Sequence, residues 1–457
     1  MKILIFTRPW MTKFYKNITN NGILKEFEKF YLTEFYTESN KIDDSFYINL
    51  TKKSETNYAL NIFTDCELFD IIKRDRLLNQ LEFNISLQYI NTITEQIVQA
   101  YDKIKPDIVF GHLADTFVYD IFYRIAKKRN INQFSMVWSG IINNTFIFYE
   151  HNHPIIRKKQ NNDINIFETL KNKREDISNP IIGRFDLQKR LVGKVKFFAT
   201  SLRVRNPFNI DCRNKNIYYE FRKTRTVATP YLNIRDLAKN YYKELIDIPR
   251  NSLKKIIYIS LHYVPEATLN NFSVENSVVN HDMLIIDLVE KYCDEFIFVI
   301  KEHPAMYNQR NLVFYDKLKK NSDVVLLHPS IKYYDVLEKV DYVVSWAGTI
   351  GIEAPFFNVI PLNITKPYYH IDGYNNYFLD YQDVIENFST KIESINFNVK
   401  DYARDLNTMF SKLLWKGYNQ EKYNNTDNIN NIANAIDSLL VENFKFNKST
   451  LRFDNEE

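Results

Sequence analysis

Glycine is scarce in this chain, with 9 among 457 residues. Backbone that must turn tightly or pass close to another group therefore has few places to do so, and each glycine carries positional meaning. Cysteine is scarcer still. Cys66, Cys212 and Cys293 are far apart, odd in number and without a C-x-x-C neighbour. That pattern excludes a disulfide framework and a cysteine zinc site, and suits a reducing cytoplasm. The apolar start of MKILIFTRPW is too short for a signal peptide and reads as a first buried strand. With no apolar run of about 18 residues, no transmembrane helix is expected. Neither sign of charge dominates: 60 Lys+Arg against 56 Asp+Glu give +4. Without an arginine-rich run or a basic helix, nucleic acid is not expected as a partner. Also missing are a D-x-D pair to hold a metal on a nucleotide diphosphate, a P-loop, a G-x-S-x-G elbow and an H-E-x-x-H helix. Asp65-Cys66-Glu67 is the nearest approach to the first.

What remains is a chain that is 45% hydrophobic and long enough for two cores. Short β-branched runs alternate with helical patterns. Lys2 to Thr7, Asp107 to Phe110, Gln133 to Trp138, Lys254 to Ser260, Phe296 to Ile300, Val324 to His328, Tyr342 to Trp346 and Val359 to Asn363 read as strands buried on both faces. Between them, Ile90, Ile93, Ile97, Tyr101 and Ile104 recur at helical spacing up to Pro106, and Thr116 to Arg129 and Asp282 to Cys293 are further helices. This is the alternation of an α/β fold with parallel sheets. Asn233 to Leu245, Tyr402 to Trp415 and Ile429 to Leu440 are also expected to be helical. Tyr58 to Phe63 reads as a strand or strand-helix piece, and His151 to Arg190 as insertion loops or an exposed helix pair.

Unusual residues cluster where strands end. Leu261-His262-Tyr263-Val264-Pro265-Glu266-Ala267-Thr268 follows one strand and Lys301-Glu302-His303-Pro304 the next. Ser345-Trp346-Ala347-Gly348-Thr349-Ile350-Gly351-Ile352-Glu353 follows another, and holds two of the nine glycines. Ligands bind at that edge of an open α/β sheet. The amides from Gly348 to Gly351, with the hydroxyl of Thr349, are placed to open a helix N-terminus that holds a phosphate, with His303 donating to it from the neighbouring strand. A tight turn with a loop-capping histidine is the plainer alternative. In the N-terminal half, His112 and Asp115 occupy a strand-to-helix turn, where Asp115 either faces a ligand or caps the helix that follows. Arg8-Pro9-Trp10 is another loop at a strand end.

The three C-terminal segments resemble, in order and spacing, the capsule polysaccharide biosynthesis family, which includes transferases that add Kdo from CMP-Kdo. The resemblance covers about residues 225 to 380. It implies a GT-B fold, two Rossmann-like domains facing across a cleft with C-terminal helices crossing back. Residues 1–225 would form the acceptor-side domain and 226–400 the nucleotide-sugar domain, with helices in 401–442 packing on the first and 443–457 a mobile tail. Lys301, His303, Pro304, Ser345, Gly348, Thr349, Gly351 and Glu353 then correspond to donor-binding positions. His262 and Glu266 match the H-x-x-P-E element. One departure stands at Ala347-Gly348, where family members commonly carry a Ser-Thr pair. A CMP-sugar leaves as a monophosphate, which a helix dipole, His303 and Lys301 can stabilise with neither metal nor cofactor.

The implied activity is a cytoplasmic glycosyltransferase making capsular or lipopolysaccharide glycan at the inner face of the membrane. Its partners would be a nucleotide sugar, a glycan or lipid-linked acceptor, and assembly or export proteins. Glu266 and Asp115 are the candidate bases, with His262 and His112 beside them. The rivals are a nucleotide-sugar epimerase or polyol-phosphate transferase on the same plan, and a non-catalytic glycan-binding subunit.

Overall fold

The computed structural model describes residues 1–40, 42, 45–49, 54, 57–158, 165–175, 241–249, 252–262, 280–303, 306, 310–418 and 424–453. The expected site residues Glu266 and Pro304 lie outside them, as do residues 226–230 and the runs at 194–201 and 217–221. The chain divides into two compact units.

The first unit is built on β1 (Lys2–Phe6), β2 (Glu28–Thr33), β3 (Ser45–Tyr47), β4 (Ile108–His112), β5 (Asn132–Trp138), β6 (Thr145–Glu150) and β7 (His153–Pro154). β3, β2, β1, β4 and β5 pair side by side in parallel, and β6 then runs antiparallel to β5. Ile3, Leu4, Ile5 and Phe6 are all fully buried, as a central strand covered on both faces requires. The helix Phe83–Ile104 lays Ile90, Ile93, Ile97, Tyr101 and Ile104 into the core. It stops at Lys105, whose φ of 53° is left-handed, just before Pro106.

The second unit carries β8 (Lys255–Ser260), β9 (Phe296–Lys301), β10 (Val324–Leu327), β11 (Tyr342–Ser345) and β12 (Ile360–Asn363), all parallel in the order β10-β9-β8-β11-β12. Numbered within each unit, both sheets follow the order 3-2-1-4-5 of a Rossmann half. The unit boundary falls at Met409 and Phe410, inside the helix Val399–Leu413. Beyond it, β13 (Leu414–Lys416) joins the first sheet beside β6, and the helix Thr426–Glu442 packs on the helix Thr12–Thr19. A fold of two Rossmann-like α/β units whose C-terminal segment returns to the first is the GT-B layout.

Arg157, within the stretch read as insertion loops or an exposed helix pair, fastens this return. Its guanidinium donates to the carbonyls of Ser411 at 3.0 Å and Leu414 at 2.7 Å and lies 4.4 Å from the Trp415 ring. An arginine there answers carbonyls that a helix end leaves bare.

Four local expectations change. Tyr58–Ile62 is a helix, held to the long helix by the Ala59 N–H donating to Asn91 Oδ1 at 2.8 Å. A short apolar run has no periodicity to distinguish the two states. Residues 241–245 are not α-helical: Lys243 bridges to Leu327, and a short 3-10 turn starts at Leu245. Leu414 and Trp415 belong to β13, since the ladder with β6 outweighs one more helical turn. Of the tail expected to be mobile, residues 443–453 hold a hairpin of β14 (Phe446–Asn447) and β15 (Arg452–Phe453), anchored by Phe446 at 3% exposure against Phe27, and 454–457 lie outside the described residues. β2, β6 and the helix Tyr381–Ser394 were not anticipated.

Candidate functional site

In the second unit the chain lays β8, β9 and β10 in one direction and then places β11 on the other side of β8. The order therefore reverses between β8 and β11, where an open sheet leaves a crevice outside its carboxyl ends. His262 lies two residues past β8, Lys301 ends β9, and Ser345 ends β11. Three of the segments singled out by sequence thus meet at neighbouring strand ends. The Trp346 N–H donates to His262 Nε2 at 3.4 Å across the reversal.

The hub beneath them is a residue to which sequence reasoning gave no role. Glu302 is 1% exposed, and its carboxylate accepts from Arg310 Nε at 2.8 Å, Tyr315 Oη at 2.6 Å and the His303 N–H at 2.7 Å. Arg310 also pairs with Asp282 and donates to the His262 carbonyl at 3.1 Å. One buried ion pair therefore ties together the ends of β8 and β9 and the start of the helix His281–Tyr292. Burial would raise the Glu302 carboxyl, but Arg310, Tyr315 and the His303 amide outweigh it and hold it below its ordinary value. Arg310 sits in a polar stretch and Asp282 opens a helix, so neither gave a signal in the sequence.

Lys301 is buried at 6% exposure, and desolvation lowers its ammonium to about 8 against the pull of Glu302. Burial, with the positive fields of His303 and Arg310, drives His262 down to about 3, so its ring is neutral. His303 is partly buried beside them.

The expected helix start differs in kind. The helix Ile350–Glu353 is one turn long and continues as the 3-10 segment Ala354–Phe357, so little dipole accumulates. Thr349 is exposed and its side chain caps nothing; the Gly351 N–H is already donated to the Gly348 carbonyl at 3.2 Å. The glycines serve packing instead. Neither has a left-handed φ. A Cβ on Gly351 would fall 2.2 Å from the Tyr369 hydroxyl, and one on Gly348 2.8 Å from the His262 ring. Tyr369 donates to Asn363 Oδ1 at 2.8 Å and lies 3.2 Å from the Gly348 carbonyl, so the loop 367–377 is seated on this turn. Glu353 is buried and bonded to Tyr333.

In the first unit the reversal lies between β1 and β4. Asp115 does not cap the helix that follows; the Phe117 N–H is taken by Asp75 Oδ2 at 2.8 Å. Its carboxylate instead receives both terminal nitrogens of Arg8 at 2.9 Å, bidentate across the reversal. Burial would raise Asp115, but Arg8 brings it to about 2, which makes it a weak proton acceptor at neutral pH. Arg8 Nε also donates to Glu34 Oε1 at 3.2 Å. Glu34 is fully buried, and desolvation lifts it to about 7 despite Arg8. Burial lowers the His112 ring from its ordinary value against the pull of Asp115, and its Nδ1 lies 2.9 Å from the Leu113 carbonyl.

Among the described residues no three His, Cys, Asp or Glu side chains gather as metal ligands, and no helix is long and apolar enough to cross a membrane.

No family model and no curated sequence matches the chain. Among solved structures it is similar to the beta Kdo 2,7 transferase KpsC of Thermosulfurimonas dismutans, at 10% identity over 95% of this chain and 100% of that one, with a TM-score of 0.36. It is also similar to the UDP-GlcNAc 2-epimerase of Neisseria meningitidis, at 16% identity over 97% and 100% of the two chains, with a TM-score of 0.26. A glycosyltransferase of Rickettsia africae shares 11% identity over 97% and 99%, with a TM-score of 0.28. Likeness at this level assigns neither an activity nor a residue role.

Proposed function

We propose that the chain is a glycosyltransferase of surface polysaccharide biosynthesis, drawing its sugar from a nucleotide donor held by the second unit. The observation that supports this most is the meeting of His262, Lys301, His303 and Ser345, read from sequence as one family's signature, at the β8–β11 reversal and its neighbour β9. Glycosyl transfer needs the leaving phosphate stabilised as the bond to the sugar breaks. Lys301 and His303 are the cationic and hydrogen-bonding groups for that task, on a base made rigid by Glu302 and Arg310. CMP-Kdo is the donor the sequence resemblance favours. The acceptor, a glycan or lipid-linked glycan at the inner membrane face, belongs with the first unit near His112 and Asp115. Because Arg8 keeps Asp115 a weak base, Glu266 is the preferred proton acceptor.

A panel of CMP, CDP, UDP and GDP in a thermal-shift assay tests the donor site. A nucleotide at about 100 times its Kd adds roughly 2.7 kcal/mol of stability. The absence of any shift at millimolar concentration ends the reading. With donor and acceptor in hand, His303→Ala is expected to lower kcat about a hundredfold, roughly 3 kcal/mol, with a smaller change in KM.

A further inference from the structure

Buried polar atoms almost always find a hydrogen-bond partner. At the β8–β11 reversal several do not. Among the described residues, both ring nitrogens of His281, 6% exposed, lack one, as does Nε1 of Trp346 at 2% exposure. These atoms are neighbours: the rings of His281 and Trp346 have centroids 4.4 Å apart, and the His262 ring lies 5.4 Å from Trp346 and 6.5 Å from His281. The Ser345 hydroxyl, fully buried, is beside the same turn, 3.2 Å from the position of a Cβ on Gly348.

The chemistry of the set points to what it takes. Trp346 Nε1 can only donate. Because His262 Nε2 accepts the Trp346 amide, its proton sits on Nδ1, a second donor. His281 opens a helix of 12 residues, so the positive end of a full-length dipole faces the cluster, unlike the single turn at Ile350. The charged groups nearby are already matched, with Arg310 between Glu302 and Asp282, while His262 and His303 add no negative charge. A donor-rich, uncharged, buried cluster at a helix N-terminus suits an oxyanion.

We propose that His281, Trp346 and Ser345 form the seat of a phosphate group, and that His281 takes up a proton from solvent as the anion enters. This rests on the donor reading above and moves the phosphate from the Gly348–Gly351 turn to the start of the helix His281–Tyr292. Burial and the fields of His262 and Arg310 disfavour the charged form of His281. A phosphate supplies the missing counter-charge and an acceptor for the new N–H.

Calorimetric titration of the full chain with CMP and with inorganic phosphate, in two buffers of different ionisation enthalpy at pH 7.5, counts the protons exchanged. The expected result is an uptake of close to one proton per CMP. His281→Gln, which keeps a neutral donor and acceptor, should abolish the uptake and weaken CMP about tenfold or more. Trp346→Phe, which removes the N–H together with part of the buried ring, should weaken CMP severalfold and leave the uptake in place. CMP binding without uptake, an uptake unchanged in His281→Gln, or an uptake lost only in His262→Gln overturns the assignment to His281 while the donor site stands. Failure of every nucleotide to bind overturns both. Should phosphate alone bind with the same uptake, the seat reads the anion; should only CMP do so, it reads the phosphate of a nucleotide, and either result supports the proposal.

Discussion

The two units carry the same strand order, and each brings its unusual residues to the point where that order reverses, yet the two reversals are closed in opposite ways. Between β1 and β4 the closure is ionic: Arg8 grips Asp115 with two nitrogens and reaches Glu34 with the third. Between β8 and β11 it is neutral, a long bond from the Trp346 amide to His262, with His281 and Trp346 Nε1 without partners among the described residues. The ion pair of the second unit, Glu302 with Arg310, lies to one side and acts as a foundation. Matched charges hold the first reversal, where Glu34 Oε2 and the Tyr15 hydroxyl are without partners among the described residues. The second, closed by uncharged groups, keeps ring N–H donors for an anion, which favours the donor site proposed there.

The sharpest way to break this contrast is to remove the foundation. Glu302→Ala leaves Arg310 buried without its main partner and should cost about 3–5 kcal/mol, measured by urea unfolding. Loss of nucleotide binding beyond the loss of stability would show that the strand ends had moved.

Glu34 offers a test of the ionic side. Its carboxyl stands at about 7 in the folded chain against an ordinary 4.5. Below pH 4.5 both states hold the proton; as pH rises through 7 the unfolded state releases it first, so stability falls across that window. Glu34→Gln cannot ionise, and should gain up to about 3 kcal/mol over the parent at pH 8 and nothing at pH 4. Equal stability at both pH values would mean that Arg8 keeps Glu34 ionised throughout.

Gly351→Ala probes the packing that shapes the second site. The added methyl meets the Tyr369 hydroxyl and should cost about 1–3 kcal/mol in thermal unfolding. Removing that hydroxyl in a Gly351→Ala, Tyr369→Phe double variant should recover part of the loss. If it does not, the strain lies elsewhere.

The last test concerns the neutral side. With His262 at about 3 in the folded chain against 6.5 ordinarily, no stability depends on it above pH 6.5. As pH falls below that value the unfolded chain alone takes up the proton, and stability drops by about 1.4 kcal/mol per pH unit. His262→Asn should flatten that part of the profile, as read from melting temperatures between pH 4 and 7.

Much of the frame was legible because strands buried on both faces and amphipathic helices leave strong local patterns. Lys2 to Thr7 and Phe296 to Ile300 announced themselves by continuous apolar runs, and the long helix by its isoleucines at helical spacing. β2 and the hairpin after Asn443 lacked such a signal, because their burial comes from partners distant in the chain. The site was legible in its motifs and less so in its packing. His262, Lys301, His303 and Ser345 meet as the strand-end rule requires, but the glycines that suggested a phosphate turn accommodate His262 and Tyr369. Arg8 and Glu302 stood in strand-end loops without an assigned role, and Glu34, Arg310 and His281 carried no local cue.

The sequence by itself determined the alternation of strand and helix, the number of cores, and which strand ends hold the reactive residue types, since these depend on composition and periodicity within a few residues. Only the tertiary structure decided which charges are matched and which polar atoms are left unanswered. Pairing of that kind depends on distance in space: Arg8 and Asp115, 107 positions apart, meet at 2.9 Å, and that contact, with the burial around it, is what sets the charge on each group.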